Sequence, residues 1–192
     1  MASVFSRPAV CRLLLLAALT VPGCSVPPDA MAPIPDSNTT VYHLGPGDEV
    51  RMIAAGEEVL SGQFHVGADG MVDVPLLGPV KAAGLSTTEL AAVVAHDLRT
   101  TQNYRDPRVA VEVVAYRPMA ILGEVNRPGQ YPYQPDMTVI AAVAAAGGFT
   151  YRAIDDRFAV TRSIGGQSTQ GRADQQTKLL PGDVIMVYER QF

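Results

Sequence analysis

The sequence predicts an α+β protein: two small consecutive α+β domains behind an export signal and a proline-rich tether. Three observations lead there. Short runs of Val, Ile, Met and Phe are repeatedly cut by Gly, Pro and Asp, which is how short strands joined by turns are written. Each half of the region after residue 40 carries one helical signal with its own start and stop residues. Strands and helices do not alternate regularly, which argues against a doubly wound parallel sheet. The boundaries this gives are 1–23 for the signal, 24–40 for the tether, 41–115 for the first domain and 116–192 for the second.

The leader sets the compartment. Arg7 and Arg12 flank a short basic region, 13–19 (LLLLAAL) is apolar, and the small residue Gly23 precedes Cys24. A basic region, an apolar run and a small-residue cleavage site make a secretory signal, and the run is too short for a bilayer, which needs about 20 apolar residues. Residues 19–24 (LTVPGC) resemble a lipobox, the bacterial lipoprotein signal that ends in the cysteine to be acylated, with Pro22 an unusual occupant. Cleavage is expected between Gly23 and Cys24. The chain has two cysteines, and Cys11 lies in the removed segment. The mature chain then has one thiol and no disulfide, and acylation of Cys24 consumes that thiol. By resemblance to sorted lipoproteins, Ser25 in place of an aspartate implies the outer membrane, with the body in the periplasm. Residues 25–40 (SVPPDAMAPIPDSNTT) read as a solvated polyproline-rich tether that lets the body stand away from the membrane.

Along the first domain, Gly45-Pro46-Gly47-Asp48 is a turn in which proline sets the first central φ and glycine takes the positive one. A strand over 49–54 follows. Residues 64–66 and 71–74 are expected to pair as a hairpin across Asp69-Gly70, with Pro75 ending the second strand. Ser86 and Glu89 make a Ser-x-x-Glu capping box, and Leu90, Val93, Val94 and Leu98 recur at helical spacing. A strand over 109–114 closes the domain. In the second, 120–125 is strand-like, and Arg127-Pro128-Gly129 turns it back into Gln130-Tyr131. Asp136 is the expected cap of a helix through Val139, Ile140 and Val143, and Gly147-Gly148 is its stop. Further strands are expected at 158–160 and 184–187, with 165–176 a polar loop. Pro181-Gly182-Asp183 echoes Pro46-Gly47-Asp48, either as two similar turns or as a true repeat.

Catalytic and metal-binding constellations do not emerge. His43, His65 and His96 lie far apart, none at metal-ligand spacing with Cys or carboxylates. There is neither a nucleophile elbow nor a phosphate-binding loop. A net charge of −4 without Lys/Arg clusters argues against a nucleic-acid partner. Tyr116, Tyr131, Tyr133 and Tyr151 are aromatics that could stack on sugars or fill core and interface positions. No catalytic residue, metal or cofactor is expected.

The order of these motifs resembles the outer-membrane polysaccharide export (Wza-type) lipoprotein family. Residues 42–50 (YHLGPGDEV), 69–78 (DGMVDVPLLG), 84–90 (GLSTTEL) and 106–111 (DPRVAV) are similar to that family's export domain. Gly123 to Gly129 (GEVNRPG), Ala145 to Gly148 (AAGG) and Leu180 to Ile185 (LPGDVI) are similar to a SLBB domain, a β-grasp module. The matching residues are Gly, Pro and Asp at turns, which a scaffold needs. The resemblance implies a homo-oligomeric ring passing a capsule or exopolysaccharide, partnered by an inner-membrane polysaccharide co-polymerase. It implies a short form, for larger relatives carry a C-terminal amphipathic helix and this chain ends at Phe192. A separate outer-membrane β-barrel is therefore expected for the last crossing. The competing reading is a monomeric periplasmic sugar- or ligand-binding lipoprotein.

Overall fold

A computed structural model of the chain describes residues 30–35, 41–102 and 104–190. The expected signal, with Gly23 and Cys24, lies outside the described residues.

The first half is built on β1 (Glu49–Ala54), whose Val50, Met52 and Ala54 alternate inward. β1 is the centre of a three-stranded antiparallel sheet, flanked by β2 (Gly62–His65) and β5 (Val109–Ala115). A separate hairpin is formed by β3 (Met71–Val74) and β4 (Gly78–Lys81). Helix α1 (Thr87–Thr101) begins on the expected capping box: the Ser86 hydroxyl accepts from Glu89 N, and Glu89 accepts from Ser86 N at 2.8 Å. It lies against β5 and buries Leu90, Val94 and Leu98 with the β1 residues in one apolar cluster. Burial of that face, not helix propensity, holds a helix of this length in place.

The second half is one mixed five-stranded sheet in the order β7-β6-β10-β8-β9. Its strands are β6 (Met119–Gly123), β7 (Gly129–Tyr131), β8 (Ala153–Ile164), β9 (Gln167–Ala173) and β10 (Val184–Glu189). β6 and β10 run parallel, and the other pairs are antiparallel. Helix α2 (Val139–Ala145) contributes Val139, Ala142 and Val143 to a second cluster with Ile121, Phe158, Val160 and Ile185. The mixed α+β class, with two helices and several sheets among the described residues, agrees with the sequence expectation.

Four local expectations are corrected. The Asp69-Gly70 turn exists, closed by Gly67 N donating to Met71 O at 2.7 Å, but the strands around it do not pair. β2 pairs with β1, and β3 turns at 75–77 to pair with β4. Strand β4 holds Gly78 and Pro79, which hid it; Pro79 is tolerated because the hairpin offers it a free edge. Asp136 does not cap α2: the N-cap is Thr138, without a side-chain bond, and Asp136 instead pairs with Lys178 at 2.6 Å. Residues 165–176 are not all loop, for β9 runs through them along β8 in continuous register.

The fourth correction concerns the tether. Residues 32–34 are docked: Ile34 N donates to Arg172 O and Arg172 N donates to Ala32 O, both at 2.8 Å, making a parallel bridge on the open edge of β9. Ile34 is buried in the second cluster, an apolar side chain that a solvated tether would leave in water.

Candidate functional site: the joint between the two domains

Buried polar groups concentrate at the two Pro-Gly-Asp turns. In the first, Asp48 is fully buried, and its Oδ2 accepts from Gly45 N at 2.8 Å and from the Tyr42 hydroxyl at 2.6 Å. In the second, Asp183 is equally buried, and its Oδ2 accepts from Leu180 N at 2.8 Å. Both carboxylates thus close their own turn from three residues downstream, and both are neutralised by an arginine, as a buried charge requires. Arg162, itself 4% exposed, donates from Nη2 to Asp183 at 2.8 Å and from Nε at 3.1 Å. The two turns therefore share a construction as well as a sequence.

Arg117, at the start of the second half, joins them. Its backbone N donates to Asp48 Oδ1 at 2.8 Å. Its Nη1 donates to the Tyr42 hydroxyl at 3.1 Å and to Asp48 Oδ2 at 3.3 Å. Its Nε donates to Pro181 O, in the second turn, at 3.0 Å. The guanidinium fork makes this possible, since its donors point in fixed, diverging directions. Glycine is needed where the side chain passes: a Cβ on Gly182 would lie 2.7 Å from Arg117 Nε, and one on Gly45 would run into Nη1. Burial, and then the hydrogen bond to Asp48, raises the Tyr42 phenol far above its ordinary pKa, so it stays a neutral donor. Beside the clamp, Tyr116 packs edge-on between Tyr42 and Tyr133, with centroid separations of 5.0 and 5.5 Å; such contacts add to burial.

Of the turn residues named from sequence, Gly45, Pro46, Gly47, Asp48, Pro181, Gly182 and Asp183 come together here. Asp69, Gly70 and Pro75 lie apart, in the first domain. Gly147 and Gly148 end α2 with positive φ, and Gly147 O accepts from Asn126 Nδ2 at 2.7 Å, beside the Pro128-Gly129 turn. Gly123 sits where a side chain would meet the Val187 carbonyl of β10. Tyr116 and Tyr133 are joint aromatics, Tyr131 donates to Arg127 O, and Tyr151 is 89% exposed. Arg117 and Arg162 were missed. Arg162 had a signal, an arginine inside the apolar run of β8; Arg117 had none beyond its place after Tyr116.

What this arrangement can do is fix geometry. Its carboxylates are saturated with donors, and no group of three metal-ligating side chains occurs among the described residues. An open depression of about 660 Å³ between β2 and β3, lined by Phe64, His65, Asp69 and Asp73, holds no buried polar group. No helix among the described residues is long and apolar enough to cross a membrane.

This is a two-domain α+β scaffold whose buried charges serve its turns and its joint. Residues 36–114 match the family model of polysaccharide biosynthesis/export proteins, and 119–173 match that of the SLBB domain. The chain belongs to the polysaccharide export proteins, with one SLBB domain after the export domain. It is 34% identical over 170 residues to the exopolysaccharide production protein ExoF of Rhizobium meliloti, covering 82% of this chain and 38% of that one. Two forms of the polysialic acid transport protein KpsD of Escherichia coli are each 28% identical over 120 residues, 59% of this chain and 21% of theirs. The chain thus spans well under half the length of these relatives. The family is one of export and transport proteins of the cell envelope rather than an enzyme class.

Proposed function

We propose that the protein is a subunit of a polysaccharide export channel, exported and lipid-anchored at Cys24 after cleavage behind Gly23. It stands in the periplasm on the outer membrane. Copies assemble as a closed ring, because cyclic symmetry makes a passage from a subunit that has none. An inner-membrane polysaccharide co-polymerase hands the polymer, a capsule or exopolysaccharide, to that ring. The protein is no enzyme in this reading, and its residues act on the polymer by enclosing it. One observation carries the proposal: the buried charges lock two domains into one orientation at Arg117 instead of converging on a cavity. A ring subunit needs that rigidity, since a degree of error in each copy accumulates around a closed assembly. The relatives' names, exopolysaccharide production and polysialic acid transport, supply the cargo class.

Deleting the gene is the test. Surface polysaccharide should disappear while lipid-linked repeat units are still made. Polymer reaching the medium at the normal level overturns the proposal, as does a strict monomer when the lipidated protein is weighed natively in detergent.

A further inference from the structure

We propose that residues 32–35 are a docking strap that shortens the membrane leash by half and makes the β9 edge of the SLBB domain the point where the leash enters the folded body. The reading rests on lipidation at Cys24 for its membrane end; the strap itself stands on three independent contacts.

The first is the backbone bridge to Arg172, which caps part of an otherwise open strand edge. The second is Ile34, 5% exposed among the core side chains of the second domain. The third is Arg162. The guanidinium that neutralises Asp183 also donates from Nη1 to Pro35 O at 3.0 Å, so the strap is pinned by the same buried cation that holds the second Pro-Gly-Asp turn. β9 is shaped to receive it. Gly171 is buried under the strap, and a Cβ there would lie 2.7 Å from Ile34 N and Cα and 3.0 Å from Ala32 O. Glycine inside a strand marks the close approach of another backbone, and here that backbone is the chain's own residues 32–34.

The consequence is one of reach. An extended chain spans at most about 3.5 Å per residue, so a leash from Cys24 free as far as Val41 would allow about 60 Å. Docked at Ala32, eight residues after Cys24, it allows about 28 Å. The SLBB domain is therefore held close to the lipid surface.

Energy transfer to the bilayer reads this directly. A fluorophore on Ser168→Cys, exposed on β9, is placed on the full lipidated chain, whose one native mature cysteine is acylated. The protein is bound to phosphatidylethanolamine/phosphatidylglycerol vesicles carrying a headgroup acceptor. Transfer should be efficient and narrowly distributed, and should fall and broaden in Ile34→Ala and in Gly171→Val, the latter sparing the β9 pairing with β8. Unchanged transfer in both variants overturns the strap. A separate crosslink keeps the two readings apart. In the soluble Cys24→Ser form, Pro33→Cys with Arg172→Cys should close a disulfide within one chain. Crosslinked dimers alone would assign the strap to a neighbouring copy and overturn the docking in cis. A wild-type chain that does not bind the vesicles, with the crosslink intact, overturns the lipid anchor and the 28 Å leash, and leaves the strap standing.

Discussion

At Arg162 the side chain is 4% exposed beside an aspartate 1% exposed, whereas Arg108 and Asp106 form a pair at 80% and 71%. Water decides the difference. Removing one partner of a buried pair strands the other charge and costs about 3–5 kcal/mol, while an exposed pair is screened and contributes about 0–1 kcal/mol. Arg162→Ala also strips donors from Lys178 O and Pro35 O. Urea unfolding should therefore show Arg162→Ala losing most of the second domain's stability, and Arg108→Ala moving the midpoint by no more than about 0.5 kcal/mol. An Arg162→Ala form as stable as Arg108→Ala would mean that water reaches Asp183. At this scale the sequence was half legible. The aspartates stood out because Pro-Gly-Asp recurs, but their partners lie 69 and 21 residues away, and no local pattern encodes such a pairing. Ile34 was misread for a related reason: among prolines and small polar residues one isoleucine makes no periodicity, and only the docked edge gives it a place.

The elements written most clearly are those whose signals are local. The capping box of α1 was legible to the residue, since Ser86 and Glu89 satisfy each other's backbone amides within one turn. Ser86→Ala should cost about 1 kcal/mol in the urea midpoint, the usual loss for a helix cap. Glu89 adds a pH dependence whose sign is fixed. The backbone amide of Ser86, and then its hydroxyl, hold the Glu89 carboxyl below its ordinary 4.5. A carboxylate lowered by folding stabilises the fold above its unfolded value, and that contribution is lost as pH falls through the lowered one. Glu89→Gln should accordingly flatten the part of the acid limb just below pH 4.5 and leave neutral pH dependence unchanged; an acid limb identical to wild type would exclude the contribution. Strands were less legible than helices. β9 was hidden because residues 163–170 are exposed throughout, so no buried face writes a period of two. Its clue was Gly165-Gly166, both with positive φ, a glycine pair suited to a two-residue hairpin. The pairing of β2 with β1 rather than β3 was illegible because an Asp-Gly turn reverses the chain without dictating which sheet each arm joins.

For the whole molecule the question is what keeps two separately built cores in one orientation. Among the described residues the β-sheets do not cross the boundary, and each apolar cluster is confined to its own domain except for the contribution of Ile34. Arg117 and the Tyr42–Tyr116–Tyr133 row span it. Arg117 is about a quarter exposed, so its loss is cheaper than that of Arg162; hydrogen bonds to charged groups contribute about 1.5–3 kcal/mol. Lysine is the informative replacement, because it keeps the charge near Asp48 and loses the second, diverging donor to Pro181 O. Arg117→Lys should leave both domains folded but unfasten them: calorimetry should resolve two transitions where the wild type shows one, and the radius of gyration in scattering should rise. If assembly depends on a fixed joint, the same variant should reach the envelope in normal amount yet fail to form the ring, and surface polysaccharide should fall several-fold. A variant with two transitions and full export would separate the joint from the transport function. One with a single transition would show that the tyrosine row alone suffices to hold the domains together.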